Sequence, residues 1–310
     1  MLHDLPVWAE EFNYFHHSNP RTKDRAKSFF DKVHVRPLRS WAFENLNCDE
    51  NREKAQDILE RLSSTPSANM KAGICTQLGV DLHLVPDREF HQTLSLPEAK
   101  ETAMKEMEKY EPVSEIDAQK KMKYLQELPD VIEHSVLGLK EAMAGDNRIL
   151  GEIDLLKVLD GCSLPHFTKP DYGRRGDLKT KWSRQSDRAR HGWQTASLPK
   201  TLSGPFDMNN VYQAAGFYAC NNRLPPFLVY ANAADYRIFT SENAPELTNN
   251  FLEEVVRDIS MQHRITENLL KSAETKEELF NLTSPDFSQW CWKFESKSYL
   301  SEAKKIWGME

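Results

Sequence analysis

The hydrophobic pattern changes its period partway along the chain, and that change limits the folds open to it. Before about residue 130, apolar side chains recur at helical spacing. NREKAQDILERLS (51–63) sets Ala55, Ile58, Leu59 and Leu62 on one face, and KAGICTQLGVDLHL (71–84) reads as a second, more buried helix. Residues 97–128 read as two solvent-facing helices broken at Pro112, with Ser114 and Asp117 marking a helix start. Beyond that point VIEHSVLGL (131–139), RILGEIDLLKVL (148–159) and RRGDLKTKW (174–182) are short, β-rich runs bounded by Gly, Asp and Pro. A helix at about 207–221, a strand or hairpin over 225–240 and a long helix over about 244–273 follow. Helices, then strands, then a helix and another strand predict an α/β (α+β) protein, with a central mixed sheet flanked by helices. No sharp boundary breaks residues 1–310, so one domain is expected. It has a helical N-terminal part to about 128, a core over about 130–240 and C-terminal helices over about 244–308.

Composition narrows the class. Apolar runs are short (FLVYANAA, 227–234, is typical), so no membrane span is expected. MLHDLPVWAEEF has neither a basic start nor an apolar run, which argues against secretion. Cys48, Cys75, Cys162, Cys220 and Cys291 lie far apart with no CxxC pair. That pattern points to reduced thiols in a cytoplasm-like compartment and carries no zinc or iron–sulfur signature. The formal net charge is −7, so binding to nucleic acid would need a local basic surface.

Chemistry concentrates between residues 150 and 220. Asp154 sits in GEIDLL between apolar neighbours, which places its carboxylate at a sheet edge or a polar cavity. Asp177 and Lys179 in GDLKTK stand two apart, so on a strand they share a face. If the Asp154 strand pairs with this one, three charged groups converge. Hard oxygen donors of this kind suit Mg²⁺ or Mn²⁺. Taken alone, D-x-K equally describes a surface ion pair.

The order G-E-I-D, spacer, G-D-L-K-T, then QAAGFY on a helix and FLVY on a strand resembles the RecB-like branch of the PD-(D/E)xK nucleases. That branch includes phage-type exonucleases and the mitochondrial genome maintenance exonuclease. The resemblance spans about residues 38–270 and is most specific over 149–230. It implies the nuclease-type mixed sheet and Mg²⁺- or Mn²⁺-dependent hydrolysis of DNA at ends or on single strands. It also implies metal binding by Asp154, Asp177 and the Leu178 carbonyl, water activation at Lys179, and substrate contacts from Gln213 and Tyr218. Phage-type replication or recombination is the implied setting. In the family's first motif Gly73 matches and Gln77 takes the ligand position with Asp81 one turn on; Glu133 is a further candidate ligand. The literal Pro170–Asp171 reads as a turn, because six positions to Asp177 look too few for a strand, a turn and a return. GCSLPHFTKPDYG reads as a looped insertion. A nuclease fold that binds DNA without cutting it is the alternative.

The stretch 174–200 is basic, with Lys181, Arg184, Arg188 and Arg190 interleaved with Trp182 and Trp193. Basic side chains track phosphates and aromatic faces stack on unpaired bases, so Lys181, Trp182, Arg184, Arg188 and Arg190 are the expected DNA contacts; a solvated loop is the other reading. The aromatic group Trp290, Trp292, Phe294, Tyr299 and Trp307 reads as core of the C-terminal helices.

Overall fold

A computed structural model describes residues 15–16, 44–45, 48–55, 67–86, 92–112, 114–145, 149–186, 192–275, 278, 282 and 301. Arg188 and Arg190, Cys291, the late aromatic group and most of the helix expected at 51–63 lie outside them. The described elements mix helices with small sheets, an α+β arrangement. They fall into two compact units, one drawn from residues 65–155 and 169–253, the other from 1–64, 156–168 and 254–310. Each is assembled from segments distant in sequence, so the units do not follow the sequential division into 1–128, 130–240 and 244–308. Among the described residues no helix is long and apolar enough to cross a membrane.

In the first unit three helices pack against one another: α1 (Ala68–Leu84), α2 (Leu96–Glu108) and α3 (Glu115–Ala142). Their starts carry caps legible in the sequence. Ser67 accepts from the Met70 amide, Ser95 and Glu98 form a capping box, and Ser114 accepts from the Asp117 amide at 3.2 Å. Asp117 is itself buried and ties two helices together: one oxygen accepts from the Ala68 amide at 2.9 Å and the other from the Tyr110 hydroxyl at 2.5 Å. VIEHSVLGL is part of α3, not a strand. Val131, Ile132, Ser135, Val136 and Leu139 recur at helical spacing and are all buried, so burial on one helix face outweighs the β-branched composition.

The sheet of this unit is mixed, in the order β4 (Gly176–Thr180), β7 (Phe227–Ala231), β8 (Tyr236–Phe239). Strands β4 and β7 are parallel, with Asp177 opposite Leu228 and Lys179 opposite Tyr230, and β7 and β8 are antiparallel. A parallel pair needs a crossover, and α4 (Pro205–Cys220) supplies it. Leu178, Phe227, Val229 and Ala231 join the core formed with α1–α3. Strands β5 (Arg184–Gln185) and β6 (Trp193–Gln194) make a separate antiparallel pair.

In the second unit β1 (Phe15–His16), β3 (Pro165–Thr168) and β2 (Leu155–Val158) form a three-stranded sheet in that order, with β1 parallel to β3. The segment 161–173 is therefore not a looped insertion: it contains β3. Glu267, on α5 (Asn249–Ser272), accepts from the amides of Ser163 and Leu164 and holds the turn before β3.

Candidate active site

Strand β4 is an edge strand, and its two edges do different things. The Lys181 amide donates to the Ala231 carbonyl and the Phe227 amide to the Arg175 carbonyl, so the odd-numbered residues face β7. Gly176 instead exchanges both backbone hydrogen bonds with Tyr172, and the Leu178 amide donates to Asp171 Oδ2 at 3.0 Å. A residue's N–H and C=O leave an extended strand on the same side, so the Leu178 carbonyl faces that outer edge too. Side chains alternate across the sheet, sending Leu178 into the core while Asp177 and Lys179 face α4.

Asp177 is 1% exposed. Its Oδ1 accepts from Gln213 Nε2 at 3.1 Å, while its Oδ2 lies 2.5 Å from Lys179 Nζ as an ion pair but makes no directed hydrogen bond. Lys179 Nζ also donates to Gln213 Oε1 at 2.9 Å, which closes a triangle across β4 and α4. Three of the expected site residues, Asp177, Lys179 and Gln213, thus meet.

Asp171 joins them, and this corrects its reading as a mere turn residue. The Tyr172–Gly176 bridge, continued by one residue, sets Asp171 directly opposite Asp177. Six positions suffice because Gly173 and Arg174 both adopt left-handed φ, at 57° and 64°, and reverse the chain at once. Asp171 keeps some surface as a residue, but its carboxyl group is turned inward. Desolvation first, then the facing Asp177 carboxylate, push its pKa well above the ordinary value, against the pull of Lys179 and the Leu178 amide. The literal Pro170–Asp171 was the sequence signal for it, with Gly173 marking the turn.

Asp154 is placed otherwise. It is exposed, precedes β2, and β2 pairs within the other sheet, so the expected pairing of its strand with β4 does not occur. Its charge is felt at Lys169, whose ammonium pairs with Glu152. Glu133 sits on the exposed side of α3, paired with Lys100 at 2.5 Å. The expectation of a glutamate on the strand before G-x-x-D fails because that segment is helical.

Gln77 and Asp81, one turn apart on α1, do interact, at 3.3 and 3.4 Å. The Tyr172 hydroxyl donates to Asp81 Oδ1 at 2.8 Å, so Asp81 touches the residue beside Asp171. Burial raises the Asp81 pKa to about 6, partly offset by the Tyr172 and Gln77 hydrogen bonds. A carboxyl whose pKa is higher folded than unfolded retains its proton better in the folded chain, so stability falls as pH climbs from about 4 to 6 and stays reduced above. Asp81→Asn is therefore expected to stabilise the metal-free protein by on the order of 2 kcal/mol at pH 8 and by almost nothing at pH 4. Urea titrations at the two pH values measure this; an equal effect at both would show that the carboxyl's charge is not the cause.

The expected DNA contacts divide. Lys181 is partly exposed, 4.0 Å from Asp207 and over the Tyr230 ring, and Arg184 is exposed on β5. Trp182 is 9% exposed, packs on Tyr124 at 5.0 Å between ring centres and donates to Thr180 Oγ1, so it is a core side chain rather than a stacking platform. Tyr218 is 3% exposed and donates to Glu253; five residues from Gln213, it lies about 140° around α4 and cannot share its face. Among the described residues no group of three or more His, Cys, Asp or Glu side chains is placed to hold a metal ion. No family model, curated protein or solved structure matches this chain.

Proposed function

We propose that this chain is a metal-dependent deoxyribonuclease of the PD-(D/E)xK kind, an exonuclease acting at DNA ends or on single strands. The observation that carries the reading is the opposed Asp171–Asp177 carboxylate pair, with Lys179 two residues on and Gln213 reaching in from the crossover helix. A strand–helix–strand unit with a parallel pair, bearing these residues on one face, supports the same reading.

Mg²⁺ or Mn²⁺ fits this donor set. Burial first, and then the facing Asp177 carboxylate, raise the Asp171 pKa, and Asp177 Oδ2 has a cation beside it without a directed hydrogen bond. Asp171, Asp177 and the Leu178 carbonyl would hold the ion, a small set that suits a metal retaining several waters and a substrate phosphate. When bound, such an ion acidifies a water and polarises a phosphoryl oxygen. The chain's own groups do the rest. Gln213 holds the Asp177 carboxylate, and Lys179 offsets charge developing on the phosphate. Lys181 and Arg184 extend positive charge along the chain leaving β4.

The absence of a third acidic or imidazole donor among the described residues favours a second reading, a nuclease fold that binds DNA without cutting it. Incubation of 5′- and 3′-labelled single- and double-stranded linear DNA with Mg²⁺ separates the two. The exonuclease reading expects stepwise release from one end by the natural chain and none by Asp177→Ala or Lys179→Ala. DNA retention without release would establish the binding protein, and undiminished cleavage by both variants would remove the active site from this strand.

A further inference from the structure

Lys179 holds a place that a divalent ion would need. Its ammonium lies 2.5 Å from Asp177 Oδ2, while both carboxylates are anchored by other groups: Asp177 by Gln213 and Asp171 by the Leu178 amide. The Asp177 side chain is 1% exposed and that of Lys179 is 26% exposed, so the ammonium can leave toward solvent without moving the strand. Charge makes the exchange favourable. One lysine compensates only one carboxylate, whereas a divalent ion balances the facing pair. The two cations cannot share the site, because like charges a few ångströms apart with little water between them repel strongly.

We infer that Lys179 is a resident cation that occupies the carboxylate pair until a divalent ion displaces it, so that metal entry and presentation of the lysine to phosphate are one event. This rests on the metal-dependent reading of the site above. The resting pair keeps the carboxylates compensated, and displacement frees a flexible point charge that suits a phosphate oxygen. Gln213 is the positioning residue: it touches both partners and remains hydrogen-bonded to Asp177 once the lysine has gone.

Calorimetric titration with Mn²⁺, without DNA, tests the exchange in the full chain. Lys179→Met is expected to bind Mn²⁺ at least about tenfold more tightly than the natural protein, because the competing charge is gone. Lys179→Arg, which keeps a cation there, is expected to bind no more tightly. If Lys179→Met folds only when Mn²⁺ is added, by circular dichroism, that also supports the exchange; a variant that stays unfolded with Mn²⁺ overturns it. Equal or weaker binding by Lys179→Met overturns the exchange while leaving the nuclease reading intact, provided the natural chain still binds Mn²⁺. No binding by any of the three proteins sinks both.

Discussion

Asp171→Asn is expected to lower Mg²⁺-dependent cleavage of linear DNA on the order of 10³-fold, while Asp154→Asn costs less than about tenfold. The contrast follows from placement. Asp171 faces Asp177 across a tight reversal at Gly173–Arg175, whereas Asp154 is exposed and precedes a strand of the other sheet. Stability should move the opposite way. The amide keeps an acceptor for the Leu178 N–H and removes one of two opposed carboxylates, so the metal-free variant should melt a few degrees higher, by about 3 °C. A gain in stability with a loss of activity is the mark of a group held for chemistry rather than for folding. Initial rates for the two variants, with their melting curves, decide the matter. If Asp154→Asn alone silences the protein, the pair identified on β4 and its hairpin is the wrong one.

Much of this site was legible in the sequence, and what was missed has identifiable causes. Lys179 and Asp177 share a face because strands alternate, and Gln213 meets them because a parallel return to β7 requires a helix to cross that face. Asp171 was hidden by an assumption about length. A regular strand, turn and strand do not fit between 171 and 177, but a bridge of one residue pair closed by Gly173 and Arg174 does. The misassigned strand at 131–139 has a different origin: Val131, Ile132 and Val136 favour strands one by one, and only their spacing against α1 and β7 makes them helical. Trp182 and Tyr218 were expected at the substrate because aromatic rings in a basic stretch suit bases. Composition does not say which way a ring points, and here Tyr124 covers one while Glu253 and Arg223 hold the other. The second carboxylate, Asp171, was thus available to sequence reading as Pro170–Asp171; what withheld it was turn geometry, which depends on two φ angles.

The largest expected effect on stability lies one residue before the site. Gly176→Ala would place a Cβ 2.0 Å from Cζ and 2.2 Å from Cε2 of Phe227, whose ring lies across the glycine in the β4–β7 register. Phe227 is 1% exposed and belongs to the core with α1–α3, and the Arg175 guanidinium covers it at 5.5 Å, so the ring has nowhere to withdraw. Overpacking of this kind forces side chains off their rotamers or shifts the backbone, at a cost of about 3 kcal/mol. For a unit of this size that lowers the melting midpoint by roughly 10 °C. Activity should suffer with it, since Gly176 also carries both backbone hydrogen bonds to Tyr172 that bring Asp171 opposite Asp177. The double variant Gly176→Ala/Phe227→Leu tests the cause, because a smaller side chain vacates the space the methyl needs. Recovery of half or more of the lost midpoint is expected from so close a pair. A single variant that melts within about 2 °C of the natural chain would mean that β4 and β7 do not meet in this register, and the register is what carries Asp177 and Lys179 to the helix face where Gln213 waits.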